Sequence, residues 1–457
     1  LMSNYIARTG RVQSWLDNPE SRLPVSCTVF NVSDQMEGPN GIEASWRFVS
    51  HALRNAAGVA VHLSQLRPRG TENGKGLVAS GPVSFARVYS CLNEVLRRGG
   101  TYRNGPAVIV LDANHADLEE FVDATRQELP WVKKCVQITP EWWSALTPEL
   151  QAKMLKAIQA GDLWLTKVKH DQKGERLFSN VCTEIFIKSR ATCLLEHVNI
   201  SQCEVGGLVP AFFEGMSNLC GLHPKTGVGA TGEYLPPEED KQVGLGILGL
   251  ANFLRRQGVS YAAFGEALDL LYDDNAEWTP ALGIARELAS AGAGAANVAR
   301  VAGMERAFTI APTATCSYKY KDLDGYTTAP EIAPPISRHV DRDSGTFGVQ
   351  SFDYGPCEIA SEVGWYNFKK VADGICRLFE STGLFHGYSF NTWSDVVTYD
   401  QAFIEEWFNS PQTSLYYALQ VSPDTLRKDD VSSILDEDYH DIFGLDSEED
   451  FCSSCAE

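Results

Sequence analysis

The segment SNVCTEIFI places Asn180, Cys182 and Glu184 at steps of two. In an extended chain side chains alternate faces, so an amide, a thiol and a carboxylate project from one side. Cys182 alone reads as a small core hydrophobe. Glu184 would then share its buried face, and an unpaired buried carboxylate is costly or is forced to neutralise. The face is therefore wet or functional. A thiol beside a proton-accepting carboxylate, with an amide to orient a hydroxyl, suits chemistry on a polyol such as a sugar ring. A second pair of thiols, Cys452 and Cys455, stands in the final segment EEDFCSSCAE. It reads as a redox pair or as half of a zinc site. Zinc would need two further ligands, which the surrounding sequence lacks unless His440 or a second chain supplies them, so no metal site is expected.

These groups need a scaffold, and the composition provides for one. The chain has 457 residues, of which 44% are hydrophobic and 10% aromatic, enough for one large α/β domain or two unequal ones. A net charge of −20 works against docking on phosphate backbones or anionic membranes, while a local basic site for a nucleotide remains open. No apolar run approaches the ~20 residues that span a bilayer, and the N-terminus has no secretory segment, so a cytoplasmic location is expected. Twelve cysteines spread thinly along a large chain do not suggest a disulfide framework; most should be free core thiols.

The positioning elements follow an alternating pattern. Apolar positions Ile42, Trp46, Val49 and Leu53 keep helical spacing and lead into the strand VAVHL. AVIVL precedes the helix ADLEEFVDATRQ, CVQIT precedes one helix through PEWWSALTPELQAKMLKAIQA, and LWLTKV closes this part. Short continuous apolar strands separated by helices indicate a buried parallel sheet with helical crossovers. Further on, helices are expected near 242–256, 262–273 and 358–381, and strands at AFTIA, GYSFNTW and TSLYYALQ. From about residue 428 the chain is acidic with scattered aromatics and reads as a mobile tail. Gly244, Gly246 and Gly249 match a dinucleotide-binding spacing, with Asp269 twenty residues later. That motif should follow a strand, and PPEEDKQ precedes it, so close packing of a glycine-bearing helix is the expectation instead.

SNVCTEI resembles the finger-loop motif of the large, catalytic subunit of ribonucleotide reductase, and the resemblance extends from about residue 20 to 420. It implies that Cys182 becomes a transient thiyl radical that removes the 3′ hydrogen of a ribonucleotide. Glu184 would take the 3′-hydroxyl proton and Asn180 would hold the substrate hydroxyls. LPVSCTVFN and ATCLLEHVNIS match further family segments, which makes Cys27 and Cys193 the family's reducing pair by position, although each also reads as a core thiol. A disulfide between them would need a Cα separation of about 4.4–6.8 Å. By the same resemblance, the tail cysteines Cys452 and Cys455 would re-reduce that buried disulfide and pass the oxidation to thioredoxin or glutaredoxin.

IAPTATCSYKYKD resembles the family's substrate-diphosphate loop, which assigns Pro312, Thr313, Ala314, Thr315, Cys316 and Ser317 to substrate binding, together with Ser26 beside Cys27. Cys316 and the YKYKD after it depart from the family's usual residues. HLSQLRPRGTENGKG and LRRGGTYRNGP resemble the two loops that sense an allosteric deoxynucleotide triphosphate or ATP. They assign Arg67, Arg69, Arg98 and Arg103 to effector binding, and Asp34 occupies the position of a family acid that contacts the effector. In the family this site lies at a subunit interface, which implies a homodimer. No room precedes Cys27 for an ATP cone, so inhibition through one is not expected.

Tyr416 and Tyr417 match the tyrosine pair through which class I enzymes receive a radical made in a separate, metal-containing small subunit. The sequence therefore reads as a compact class I catalytic subunit without an ATP cone. Its fold class is α/β, a ten-stranded α/β barrel with two parallel five-stranded halves and the finger loop inside. The barrel domain is placed at residues 1–427 and the redox tail at 428–457. The reaction expected is reduction of ribonucleoside diphosphates, or alternatively triphosphates, for DNA synthesis. No cofactor is covalently held by this chain, Mg accompanies the nucleotides, and neither nucleic acid nor membrane is a partner. The rival readings are an adenosylcobalamin-dependent (class II) reductase and a non-enzymatic nucleotide-binding redox adaptor.

Overall fold

The computed structural model of the chain describes residues 3–96, 105–343 and 348–422. A short strand, β1 (Ile6–Arg8), precedes β2 (Cys27–Asn31), β3 (Gly58–His62), β4 (Ala107–Asp112), β5 (Lys133–Ile138) and β6 (Trp164–Lys167). Next come β7 (Lys169–His170), β8 (Arg176–Ser179) and β9 (Phe186–Ile187), then β10 (Leu195–Asn199), β11 (Gln242–Leu248) and β12 (Arg306–Ile310). A hairpin of β13 (His339–Asp343) and β14 (Val349–Asp353) is followed by β15 (Phe385–Tyr388), β16 (Thr392–Trp393), β17 (Ser414–Leu415) and β18 (Ala418–Leu419).

Among the described residues the main ladders form two sheets. The first has the order β17-β6-β5-β4-β3-β2, with β2 to β6 parallel and β17 antiparallel at one edge. The second has the order β1-β10-β11-β12-β15, with β1 antiparallel and the rest parallel. The architecture is α/β, as the alternation of apolar strands and helices predicts. The ladders do not join into one closed ring of ten strands. What couples the sheets is a set of backbone contacts between β2 and the segment before β10: Arg190 N–H donates to Val29 O at 2.8 Å, and Cys193 N–H donates to Cys27 O at 3.1 Å.

Strand alternation divides the side chains between two cores. Phe30, Val59, Val61, Ile109, Leu111, Val136 and Leu165 point outward and pack with the covering helices. Val29, Ala60, Val108, Val110, Cys135 and Trp164 point inward, into a second cluster that also receives Leu195 from the other sheet and Cys182 from the finger. Each fully buried aliphatic side chain contributes about 1.5–3 kcal/mol relative to exposure, so register in both sheets is held from both faces.

Two local expectations are corrected. The helix through PEWWSALTPELQ is two helices, Pro140–Ser144 and Pro148–Gln159, capped by Thr139 and Thr147. Pro148 has no N–H to continue the first helix, whereas it suits the first turn of a new one. The glycine-rich segment at 242–248 is the buried strand β11 rather than the start of a helix, and the helix there is only Leu250–Gln257. A Cβ at Gly244 would collide with Leu195 and Thr309, so the glycines serve crowding across the inner face of a sheet. Gly249, at φ +80°, makes the turn into the helix. Asp269 lies apart from this turn, on the helix Tyr261–Asp269, and pairs with Lys370 at 3.2 Å.

Candidate active site

SNVCTEI forms the tip of the β8–β9 hairpin, whose last paired residues are Ser179 and Phe186. The tip is not the extended segment that the two-residue spacing suggests. Asn180 N–H donates to Ile185 O at 3.0 Å, Thr183 N–H donates to Asn180 O at 3.2 Å, and Thr183 takes φ +68°. A turn therefore replaces strand alternation in placing Asn180, Cys182 and Glu184, and all three are buried.

Two histidines grip the base of this finger at directly paired residues. His62 of β3 uses Nε2 to donate to Ser179 O at 2.9 Å. His386 of β15 accepts at Nδ1 from Phe186 N–H at 3.3 Å and donates from Nε2 to Val243 O at 3.0 Å. A carbonyl can only accept, so these partners fix each tautomer. Burial pushes His62 down to about 4 and His386 well below its ordinary range, which keeps both rings neutral. One clamp comes from each sheet. Sequence reasoning missed both, because a histidine within an apolar strand carries no periodic signal.

Cys27 and Cys193 form a disulfide with a Cα separation of 5.6 Å, and it stitches β2 to the segment before β10. Asn180 Nδ2 lies 3.2 Å from Cys27 Sγ, while Asn180 Oδ1 accepts from Ile185 N–H at 3.1 Å. Cys182, Cys27 and Cys193 share the inner cluster with Tyr416 and Trp164. Ser389, another residue not singled out from sequence, has Oγ 2.6 Å from Cys182 O and 3.3 Å from Glu184 Oε2. Thr309 Oγ1 donates toward Glu184 O at 2.9 Å, which fixes the finger to β12.

Tyr416 and Tyr417 sit in the break between β17 and β18, not within one strand as TSLYYALQ predicts. Their ring centroids are 4.4 Å apart, and Trp164 lies 4.5 Å from Tyr416. Tyr416 N–H donates to Phe390 O and Tyr417 N–H to Asn391 Oδ1, so backbone bonds hold the pair in place.

In the expected diphosphate loop, Thr313 precedes a single helical turn, Ala314–Ser317, at the end of β12. Pro312 adjoins it, and Ser26 is buried at the start of β2. Thr313 Oγ1 lies 3.1 Å from Glu331 Oε2, and Glu331 N–H donates back to Thr313 Oγ1 at 2.8 Å. Burial pushes the Glu331 carboxyl up to about 7. Ser317 Oγ donates to Ala314 O, and Cys316 packs with Ala7 and Leu248. The side chain of Thr315 lies outside the described set.

Of the effector residues, Asp34 and Arg67 are brought together, with Arg67 Nε 2.7 Å from Asp34 Oδ2. Arg69 instead pairs with Glu120 at 3.0 Å, and its backbone N–H donates to Asp117. Arg98, Arg103, Cys452 and Cys455 lie outside the described residues, as does the tail placed at 428–457.

Residues 25–172 match the model of the ribonucleotide reductase barrel domain. Over this segment the chain is similar to ribonucleotide reductases. It is 26% identical over 285 residues to the vitamin B12-dependent ribonucleoside-diphosphate reductase of Mycobacterium tuberculosis (strain CDC 1551 / Oshkosh), covering 52% of this chain and 40% of that protein. It is 24% identical over 286 residues to the enzyme of the same description from Thermoplasma acidophilum, covering 54% and 36%. The matched part thus spans two fifths or less of these relatives' length. The fold is similar to that of an Actinobacillus ureae class Id ribonucleotide reductase alpha subunit, with TM-score 0.64 over 93% of this chain and 89% of that one, at 15% identity. The matched segment holds Cys27, Asp34, Arg67 and the His62 clamp. The finger follows directly after it. Among the described residues, no helix is long and apolar enough to cross a membrane.

Proposed function

We propose that the chain is the catalytic subunit of a ribonucleotide reductase that reduces ribonucleoside diphosphates to their 2′-deoxy forms for deoxyribonucleotide biosynthesis. The observation that carries this reading is the convergence of Cys182, on a buried hairpin tip, with the Cys27–Cys193 disulfide, just after the segment 25–172 that matches a ribonucleotide reductase barrel domain. The oxidised Cys182 sulfur takes the 3′ hydrogen, and Glu184 accepts the 3′-hydroxyl proton. The 2′-hydroxyl leaves as water as the Cys27 and Cys193 thiols supply two electrons and two protons and close to a disulfide. The 3′ hydrogen then returns from Cys182, and Glu184 gives its proton back to the 3′ oxygen. Asn180, anchored between Ile185 and Cys27, holds the substrate hydroxyls. The Cys452–Cys455 pair reduces the buried disulfide by thiol exchange and is itself reduced by a thioredoxin-type donor. Asp34 and Arg67 bind a deoxynucleotide effector, in a homodimer.

Two routes supply the radical. The aromatic contacts Trp164–Tyr416–Tyr417 fill the wall of the cluster around Cys182 with rings, which fits a class I relay from a metal-containing small subunit. The second reading is class II, favoured by the relatives described as B12-dependent. When bound, adenosylcobalamin would supply the radical directly, and the tyrosines would then be packing residues. Turnover of a labelled ribonucleoside diphosphate with a dithiol, with added adenosylcobalamin or with candidate small subunits, tests both. Full activity of Cys182→Ala would refute the radical mechanism. Changing Cys452 and Cys455 to serine should stop thioredoxin-driven turnover and spare one round by the prereduced protein.

A further inference from the structure

In the second sheet, Ala7 of β1 pairs with His197 of β10, and His197 pairs with Gly246 of β11. The imidazole therefore stands between an alanine and a glycine. A Cβ on Gly246 would lie 2.7 Å from His197 Nδ1 and 2.7 Å from Thr309 O, so the glycine is what admits the ring. His197 is fully buried, yet neither ring nitrogen has a hydrogen-bond partner among the described residues. The other buried histidines behave differently. His62, His223 and His386 each meet a backbone carbonyl, those of Ser179, Asp240 and Val243. A buried donor left without a partner costs its desolvation, and such an exception requires an explanation.

Its place in the fold supplies one. Leu195, on the same face of β10, packs into the cluster of Cys182, Cys27 and Cys193. On the other side, Ala7 packs with Leu248 and with Cys316 of the loop 312–317. Thr309, whose carbonyl borders Gly246, also holds the backbone of Glu184. The imidazole thus lies between the finger tip and the expected diphosphate loop.

Resting on the reductase reading above, we propose that His197 is a substrate ligand whose ring N–H donates to an oxygen of the nucleotide's 5′-diphosphate. The ribose then faces Cys182, and the distal phosphate reaches the loop 312–317. Burial keeps the free ring neutral, with one donor and one acceptor available.

The test is equilibrium binding by titration calorimetry, without turnover, of a ribonucleoside diphosphate and the matching nucleoside to the full prereduced chain. Two substitutions conserve volume: His197→Met removes the donor, and His197→Gln keeps an N–H. His197→Met should weaken diphosphate binding about tenfold, equivalent to about 1.4 kcal/mol, with nucleoside binding unchanged. His197→Gln should recover most of the loss. Equal diphosphate affinity in wild type and His197→Met, or an equal loss for nucleoside, would overturn the assignment while leaving the reductase reading intact. No nucleotide binding by the wild type would overturn both. Binding that depends on His197, without turnover under either radical source, would sink the catalytic reading alone.

Discussion

Asn180 Nδ2 stands 3.2 Å from Cys27 Sγ while the same amide accepts from Ile185 N–H, so one side chain ties the finger tip both to itself and to the disulfide of the neighbouring strand. Asn180→Ala would leave the Ile185 N–H buried and unpaired. That change should cost about 1–3 kcal/mol in urea unfolding. If the amide also orients substrate hydroxyls, kcat should fall on the order of 100-fold, beyond anything lost stability explains at a temperature where the variant is folded. A kcat within about twofold of wild type would assign Asn180 to structure alone.

The clamps carry a pH signature. His62 is neutral in the folded chain down to about 4, whereas an unfolded histidine titrates near 6.5. Between those values the unfolded state binds a proton that the folded state refuses. Stability is thus lost as pH falls through 6.5, by about 1.4 kcal/mol per pH unit for this ring, and is unaffected above about 7. Burial raises Glu331 to about 7, Asp240 to about 6 and Glu196 to about 8, and these groups act in the opposite sense over part of the window. The informative quantity is therefore a difference. His62→Gln keeps a donor for Ser179 O, and its urea midpoint should fall less steeply from pH 6.5 to 4.5 than that of wild type. Parallel curves would contradict a neutral, buried His62.

The exposed clasp between Arg67 and Asp34 separates structure from regulation. Both groups are partly solvated, so the pair should contribute at most about 1 kcal/mol. Arg67→Ala should leave the urea midpoint nearly unchanged. If the clasp opens to bind an effector phosphate, the same substitution should remove the response of substrate preference to added deoxynucleotide triphosphates, measured as relative turnover of two competing ribonucleotides. A retained response would place the effector site elsewhere.

The parallel strands were legible because continuous apolar runs such as VAVHL and AVIVL need a sheet buried on both faces, and the structure confines them there. The finger residues were legible as types but not as geometry, since the turn at Thr183 depends on a backbone φ of +68° that no spacing rule signals. Strand β11 was misread because its glycines answer to crowding by Leu195, His197 and Thr309, residues distant in sequence. Glu331, Ser389 and His386 were missed for the same reason: each meets the site only through pairing between elements far apart in the chain. The Thr147-Pro148 helix break, by contrast, was available as a local signal.

The tyrosine pair decides between radical routes. Tyr416→Phe and Tyr417→Phe keep the ring contacts with each other and with Trp164, so stability should change by less than about 1 kcal/mol. Loss of the phenolic O–H removes a proton-coupled oxidation site without altering the wall beside Cys182. Under the class I route, either substitution should abolish turnover with a small subunit while single-round reduction capacity of the Cys27–Cys193 thiols, titrated chemically, remains. Under the class II route, turnover with adenosylcobalamin should continue at near wild-type rate in both variants. Activity that needs a small subunit yet survives both phenylalanines would remove the relay, and the two rings would then serve only to pack Trp164 against the thiol cluster.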